Sequence, residues 1–252
     1  MPPLVLHVSI AQKSADSLRE DRLDAERGSM YLGATAPDIR VITRWERERT
    51  HFFDLDNFDD QDGVAAFLET HPSLADAGAV SSQTRAFVAG YLTHLIMDER
   101  WISTVYRPHF GERSPLGGNL RANIMDRALQ FSIDCDRRRD SEFIAHVVDA
   151  VARCDLAIDI GFIDSDTMRH WQRVVTDMIS RAPDWERFRL GARRHVGVAD
   201  EDAVGFEEMM RSMPDLVDET LRYLTPERLD SYLEEVERDS LTVIKEYLKC
   251  GS

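Results

Sequence analysis

The chain has 252 residues, with 31 lysines and arginines against 46 aspartates and glutamates, giving a formal net charge of −15 at pH 7. That acidity excludes a nucleic-acid backbone as the main partner, because phosphates call for a basic surface, and it disfavours anionic lipid for the same reason. With 43% hydrophobic and 31% charged residues, the composition is that of a folded chain long enough to bury a full core.

No run reaches the ~18 apolar residues of a membrane span, and residues 1–10 lack the basic segment of a secretion signal. The three cysteines, Cys135, Cys154 and Cys250, show no CxxC spacing and suggest neither a thiolate metal cluster nor a disulfide framework. A reduced, cytoplasmic compartment is the expectation.

In chain order, residues 4–10 (Leu-Val-Leu-His-Val-Ser-Ile) are the one β-like run. Residues 16–27 read as a charged, exposed helix. Gly28, Gly33 and Pro37 make residues 28–39 a turn-rich connection. His51-Phe52-Phe53 forms an aromatic knot ahead of the acidic stretch Asp54, Asp56, Asp59, Asp60 and Asp62. That stretch lacks the spacing of a calcium loop and reads as solvated, with Asp54 and Asp56 available to support His51 from behind. Residues 64–70 form a short helix.

Residues 82–106 are the strongest helix. Phe87, Tyr91, Leu95, Trp101, Ile102 and Val105 recur near a 3.6 period, and apolar residues cover much of its circumference, as in a buried central helix. Further helices are expected at 121–133, 141–154, 166–179, 185–195, 202–211 and 226–248, the last opened by Thr225-Pro226. The fold class is therefore all-α, as one helical domain over 1–252. Residues 1–134 carry the candidate site, and 135–252 form a helical extension of unassigned role.

The chemistry concentrates in Gly90-Tyr91-Leu92-Thr93-His94-Leu95-Ile96-Met97-Asp98. His94 and Asp98 are four residues apart and share one face of a helix that is otherwise core-facing. A buried carboxylate demands a partner: either a metal ion bound by both, or a plain ion pair. His7 lies in an apolar run, Asp38 follows Pro37 in a small-residue turn, and His51 precedes two phenylalanines. Each alone also reads as a core or cap residue. Together they bring three imidazoles and two carboxylates from separated segments.

In that order, His7, Gly33-Ala34-Thr35-Ala36-Pro37-Asp38, Thr50-His51-Phe52 and Gly90-Tyr91-Leu92-Thr93-His94-x3-Asp98 resemble the zinc-dependent phospholipase C family over residues 1–106. That family is all-helical and related in fold to the single-strand-specific zinc nucleases. The resemblance implies that His7, Asp38, His51, His94 and Asp98 are metal ligands, with Asp38 or Asp98 bridging two ions and both as candidate catalytic residues. It implies one or two zinc ions, although a nitrogen and oxygen ligand set also suits manganese or iron.

The chain departs from the secreted family members in two ways. Six residues precede His7, where those enzymes begin with a metal-binding tryptophan. Their downstream His…His-x3-Glu set has no counterpart beyond His109 and His146. Asp126, an acid in an apolar helix, is a further candidate ligand.

The leading expectation is a metal-dependent hydrolase that cleaves a phosphoester of a small molecule or lipid headgroup, acting on a phosphorylated small-molecule substrate. The alternatives are the same scaffold turned to oxidation or elimination, or a non-catalytic helical module whose C-terminal helix binds a partner. A homodimer is also open. An HD-type phosphohydrolase would need an adjacent His-Asp pair, and none of the eight histidines precedes an aspartate.

Overall fold

Two glycines bring two helix backbones into direct contact at the middle of the molecule. A Cβ on Gly90 would lie 1.9 Å from the Met30 carbonyl oxygen, and one on Gly33 would lie 2.0 Å from that of Phe87. Only glycine permits that approach. The computed structural model describes residues 2–196 and 203–249. Among these the chain is all-α, with no strand.

The central helix, Ser82–Arg100, starts at Ser81, whose side chain accepts a hydrogen bond from the Thr84 N–H. From Phe87 to Asp98 every residue is buried. Helix Arg27–Gly33 crosses it at the glycine contact, and helices Leu4–Leu18 and Pro226–Lys249 pack along other sides. At Trp101–Tyr106 the central helix widens into a π-helical turn, a departure that often marks a functional segment. There the Ser103 and Thr104 hydroxyls donate back to the Glu99 and Arg100 carbonyls, at 2.8 and 2.7 Å.

Two hydrophobic cores flank this axis. One gathers Tyr31, Phe67, Phe87, Tyr91 and Trp171; the other gathers Leu6, Met97, Trp101, Phe110, Leu129 and Tyr232. Residues beyond 134 contribute to both. Trp171, in helix Ser165–Ser180, donates from Nε1 to Thr35 Oγ1 at 3.1 Å. Tyr232, in helix Pro226–Lys249, donates to the Met97 carbonyl at 3.1 Å. The second half of the chain thus buttresses the segments that carry the candidate ligands.

Three sequence expectations are corrected. Residues 4–10 are not β-like but open helix Leu4–Leu18; a continuous apolar run cannot reveal its period when every side is buried, as Leu4 to Ala11 are. Residues 16–27 do not form one helix. Arg19 takes a left-handed conformation (φ 50°) that ends the first helix, and Asp21–Asp24 and Arg27–Gly33 follow separately. Gly28 and Gly33 mark no turn; both lie inside a buried helix, Gly28 pressed against the Ala150 carbonyl.

Helix Met213–Leu224 was not anticipated. The expected helix at 202–211 is Ala203–Arg211; Asp202 and Cys250 lie outside the described residues. No helix among the described residues is long and apolar enough to cross a membrane.

Candidate metal centre

All five candidate ligands converge. His7 comes from helix Leu4–Leu18, Asp38 from the 3-10 turn Ala36–Ile39, His51 from the short helix Glu48–His51, and His94 and Asp98 from the central helix. Asp98 sits at the middle. Its Oδ1 lies 3.5 Å from His7 Nε2, and its Oδ2 lies 3.3 Å from His51 Nε2 and 3.7 Å from His94 Nε2. Asp38 Oδ1 is 3.7 Å from His51 Nε2. The His7 and His94 rings stack with centroids 3.7 Å apart, and His51 meets His94 edge-on at 5.3 Å.

The hydrogen bonds behind the rings fix which nitrogen faces inward. His94 Nδ1 contacts the Ala34 carbonyl oxygen at 2.8 Å. A carbonyl can only accept, so Nδ1 carries a proton, and in the neutral ring it is Nε2 that presents its lone pair to the cluster. His51 Nδ1 lies 2.9 Å from Thr50 Oγ1, and that hydroxyl contacts the Arg47 carbonyl at 3.3 Å. A chain running His51 Nδ1–H to Thr50 to Arg47 satisfies each group and again leaves Nε2 open. Tyr91 anchors the same loop by donating to the Thr50 carbonyl at 2.5 Å. The support for His51 therefore comes from Thr50. Asp54 and Asp56 are exposed and hydrogen-bond within their own loop, so the expectation that they back His51 is corrected.

These donor atoms are buried without hydrogen-bond partners: His7 Nδ1 and Nε2, His51 Nε2, His94 Nε2 and Asp98 Oδ1. Buried polar atoms are nearly always satisfied, so the Nε2 atoms of His7, His51 and His94 with Asp98 Oδ1 form a group that could hold a metal ion. Two overlapping trios, His7/His94/Asp98 and Asp38/His51/His94, each hold their donor atoms within 4.8 Å of one another. The donor set is neutral imidazole plus carboxylate, with no thiolate, and it suits a divalent transition metal.

The electrostatics follow from burial and crowding. Burial, with the charge of His94 beside it, lowers His7 to about 3. Burial opposes ionisation of Asp98, but the proximity of His94 and His51 holds its carboxyl well below the usual range. Burial likewise pushes Asp38 up, but the nearby His51 and His94 more than offset it and hold its carboxyl at about 2. Burial also disfavours the charged form of His94, yet Asp98, Asp38 and the Ala34 carbonyl together raise it.

One participant was not singled out in the sequence. Arg47, 6% exposed, donates from Nη2 to Asp98 Oδ2 at 3.1 Å and from Nη1 to the Phe53 carbonyl at 2.8 Å. Its only sequence signal is its place four residues before His51.

Asp126, by contrast, does not join the cluster. Its carboxylate accepts from Trp101 Nε1 at 2.9 Å and from Gln130 Nε2 at 2.7 Å. His109 faces Arg228 and Tyr223, and His146 is exposed beside Tyr31, so neither extends the site.

Comparison with protein-family models, curated proteins and solved structures gives no match. The functional reading therefore rests on the residues themselves.

Proposed function

We propose that the protein is a metal-dependent hydrolase that cleaves a phosphoester of a small molecule. The observation that carries this reading is the convergence of three imidazoles and two carboxylates in which His7 Nε2, His51 Nε2, His94 Nε2 and Asp98 Oδ1 are buried without hydrogen-bond partners. A divalent ion held by His7, Asp38, His51, His94 and Asp98 would supply a Lewis acid and lower the pKa of water toward ~7. Zinc is the first choice for this donor set, with manganese or iron as alternatives.

The chain's own residues divide the remaining work. Ala34 and Thr50 hold the His94 and His51 rings in the tautomer that aims Nε2 inward. Arg47 fixes the orientation of the Asp98 carboxylate by donating to its Oδ2. Asp38 is the most accessible of the five, with its side chain 20% exposed, so it is the carboxylate a substrate meets. Its role is to orient the attacking water by accepting a hydrogen bond.

The deciding experiment is elemental analysis of the purified protein and of His94→Ala, followed by assay of bis(p-nitrophenyl) phosphate cleavage before and after chelation. The expected result is stoichiometric transition metal, lost in His94→Ala, with turnover that chelation abolishes. A metal-free protein would sink the reading.

Arg47 favours one rival. Its ion pair already engages one Asp98 oxygen, as in a purely structural buried cluster. Melting behaviour insensitive to both chelator and added zinc would favour that rival.

A further inference from the structure

Beside the ligand cluster lies a cavity of about 380 Å3, into which Arg40, Arg47, Arg107 and Arg127 all reach. In a chain of net charge −15, four guanidinium groups around one hollow run against the overall composition. Arg107 is committed elsewhere, donating to the Leu55 and Asn57 carbonyls at 2.9 and 2.6 Å and so pinning the acidic loop. Arg47 connects the cavity wall to Asp98. Arg40, two residues after Asp38, uses Nε on the Trp45 carbonyl at 3.3 Å, and its guanidinium has no carboxylate partner among the described residues.

Three acids share the lining with the four arginines. Asp126 accepts from Trp101 and Gln130 and lies 3.9 Å from Arg127 Nε, whose Nη1 donates to Gln130 Oε1 at 3.0 Å, while Asp56 and Glu112 are exposed. Arg40 and Arg47 line the same cavity, so an anion held there meets both guanidinium groups. Asn123 holds the opposite wall, with its Oδ1 accepting from the Tyr106 hydroxyl at 2.8 Å.

We propose that this cavity binds an anionic group of the substrate, phosphate or carboxylate, between Arg40 and Arg47 with Arg127 facing them. The proposal deepens the hydrolase reading and rests on it. Arg47 touches both the cavity and Asp98, so an anion seated on the arginines places the adjoining part of the same molecule at the ligand cluster. The substrate class is then a small molecule bearing a second anionic group beside the ester to be cleaved. The guanidinium fork matches either anion in a two-point contact, and the volume suits a small molecule.

The test is calorimetric titration of the metal-stripped full chain with inorganic phosphate and, separately, with succinate, in wild type, Arg40→Gln, Arg40→Lys and Arg127→Gln. At least one anion is expected to bind wild type, and the preferred one identifies the group. The two glutamine variants should each bind it about tenfold more weakly, with Arg40→Lys in between and metal content unchanged. Equal affinity in wild type and both glutamine variants, or no binding of either anion to the stripped protein, overturns the proposal. Two failures remain distinct. Arginine-dependent anion binding by a protein that takes up no metal leaves the cavity assigned and removes the hydrolase reading. Anion binding that needs metal and ignores Arg40 removes the cavity and spares that reading.

Discussion

His7 and His94 stack face to face yet titrate in opposite directions, and this gives the metal-free protein a defined pH response. His7 is lowered from 6.5 to about 3. Between those values the unfolded chain takes up a proton that the native state refuses, so stability falls as pH drops through the window. His94 is raised above 6.5. The stability it contributes is complete below 6.5 and is lost as pH rises through its folded value. Urea unfolding of stripped protein across pH should therefore show a maximum near pH 6.5, and His7→Gln should flatten the acid side between 6.5 and about 3. An acid limb of the same slope in that variant would rule out this cause. Arg47 belongs to the same scale: Arg47→Met leaves Asp98 and the Phe53 carbonyl short of a buried donor. We expect it to lower the unfolding free energy of the stripped protein by about 3 kcal/mol, read from denaturant midpoints; an unchanged midpoint would show that the histidines alone satisfy Asp98.

Among the elements, the crossing of Arg27–Gly33 with the central helix does most to assemble the site, because it carries the Ala34 carbonyl to His94 Nδ1. A methyl group at Gly33 would meet the Phe87 carbonyl at 2.0 Å, so the helices must separate. Gly33→Ala should destabilise the protein by about 3 kcal/mol and weaken zinc uptake, because the bond that orients His94 lengthens with the helix gap. Zinc affinity equal to wild type, measured with a competing chelator, would show that His94 is held without that bond. The sequence made the central helix legible through its period, and its C-terminal neighbour too, but it misassigned the other two helices packed on it. In residues 4–10 burial on all sides erased the pattern, and in residues 28–33 glycines needed for close approach carried the same letter as glycines needed for turns. Helix Met213–Leu224 escaped notice although its proline sits in the first turn, where proline is tolerated.

Across the whole molecule, the second half of the chain supplies a wall rather than ligands. Tyr232 and Trp171 are fully packed and each bonds the ligand-bearing half, at Met97 and Thr35. Tyr232→Ala should remove about 3–5 kcal/mol and lower the melting temperature of stripped and zinc-loaded protein alike. Zinc at a thousand times its dissociation constant should add about 4 kcal/mol to either form, so added zinc recovers much of the loss. A melting temperature that zinc does not raise would count against the metal centre itself.

The sequence by itself determined the all-α class and put His94 and Asp98 on one helix face, because helical periodicity and i,i+4 spacing are local properties written in neighbouring letters; His7, Asp38 and His51 joined them through the resemblance of their motifs to a family. It could not exclude Asp126, whose partners Trp101 and Gln130 were visible only as unremarkable neighbours. Nor could it find Arg47 or the arginine cavity, since residues 40, 47 and 127 come together only when separate segments pack. Which nitrogen of each histidine faces inward was likewise decided by tertiary structure, because the choice rests on a carbonyl 60 residues away for His94 and on the hydroxyl geometry of Thr50 for His51. Residue type and spacing nominate ligands; only packing removes their other partners and turns their lone pairs toward one point.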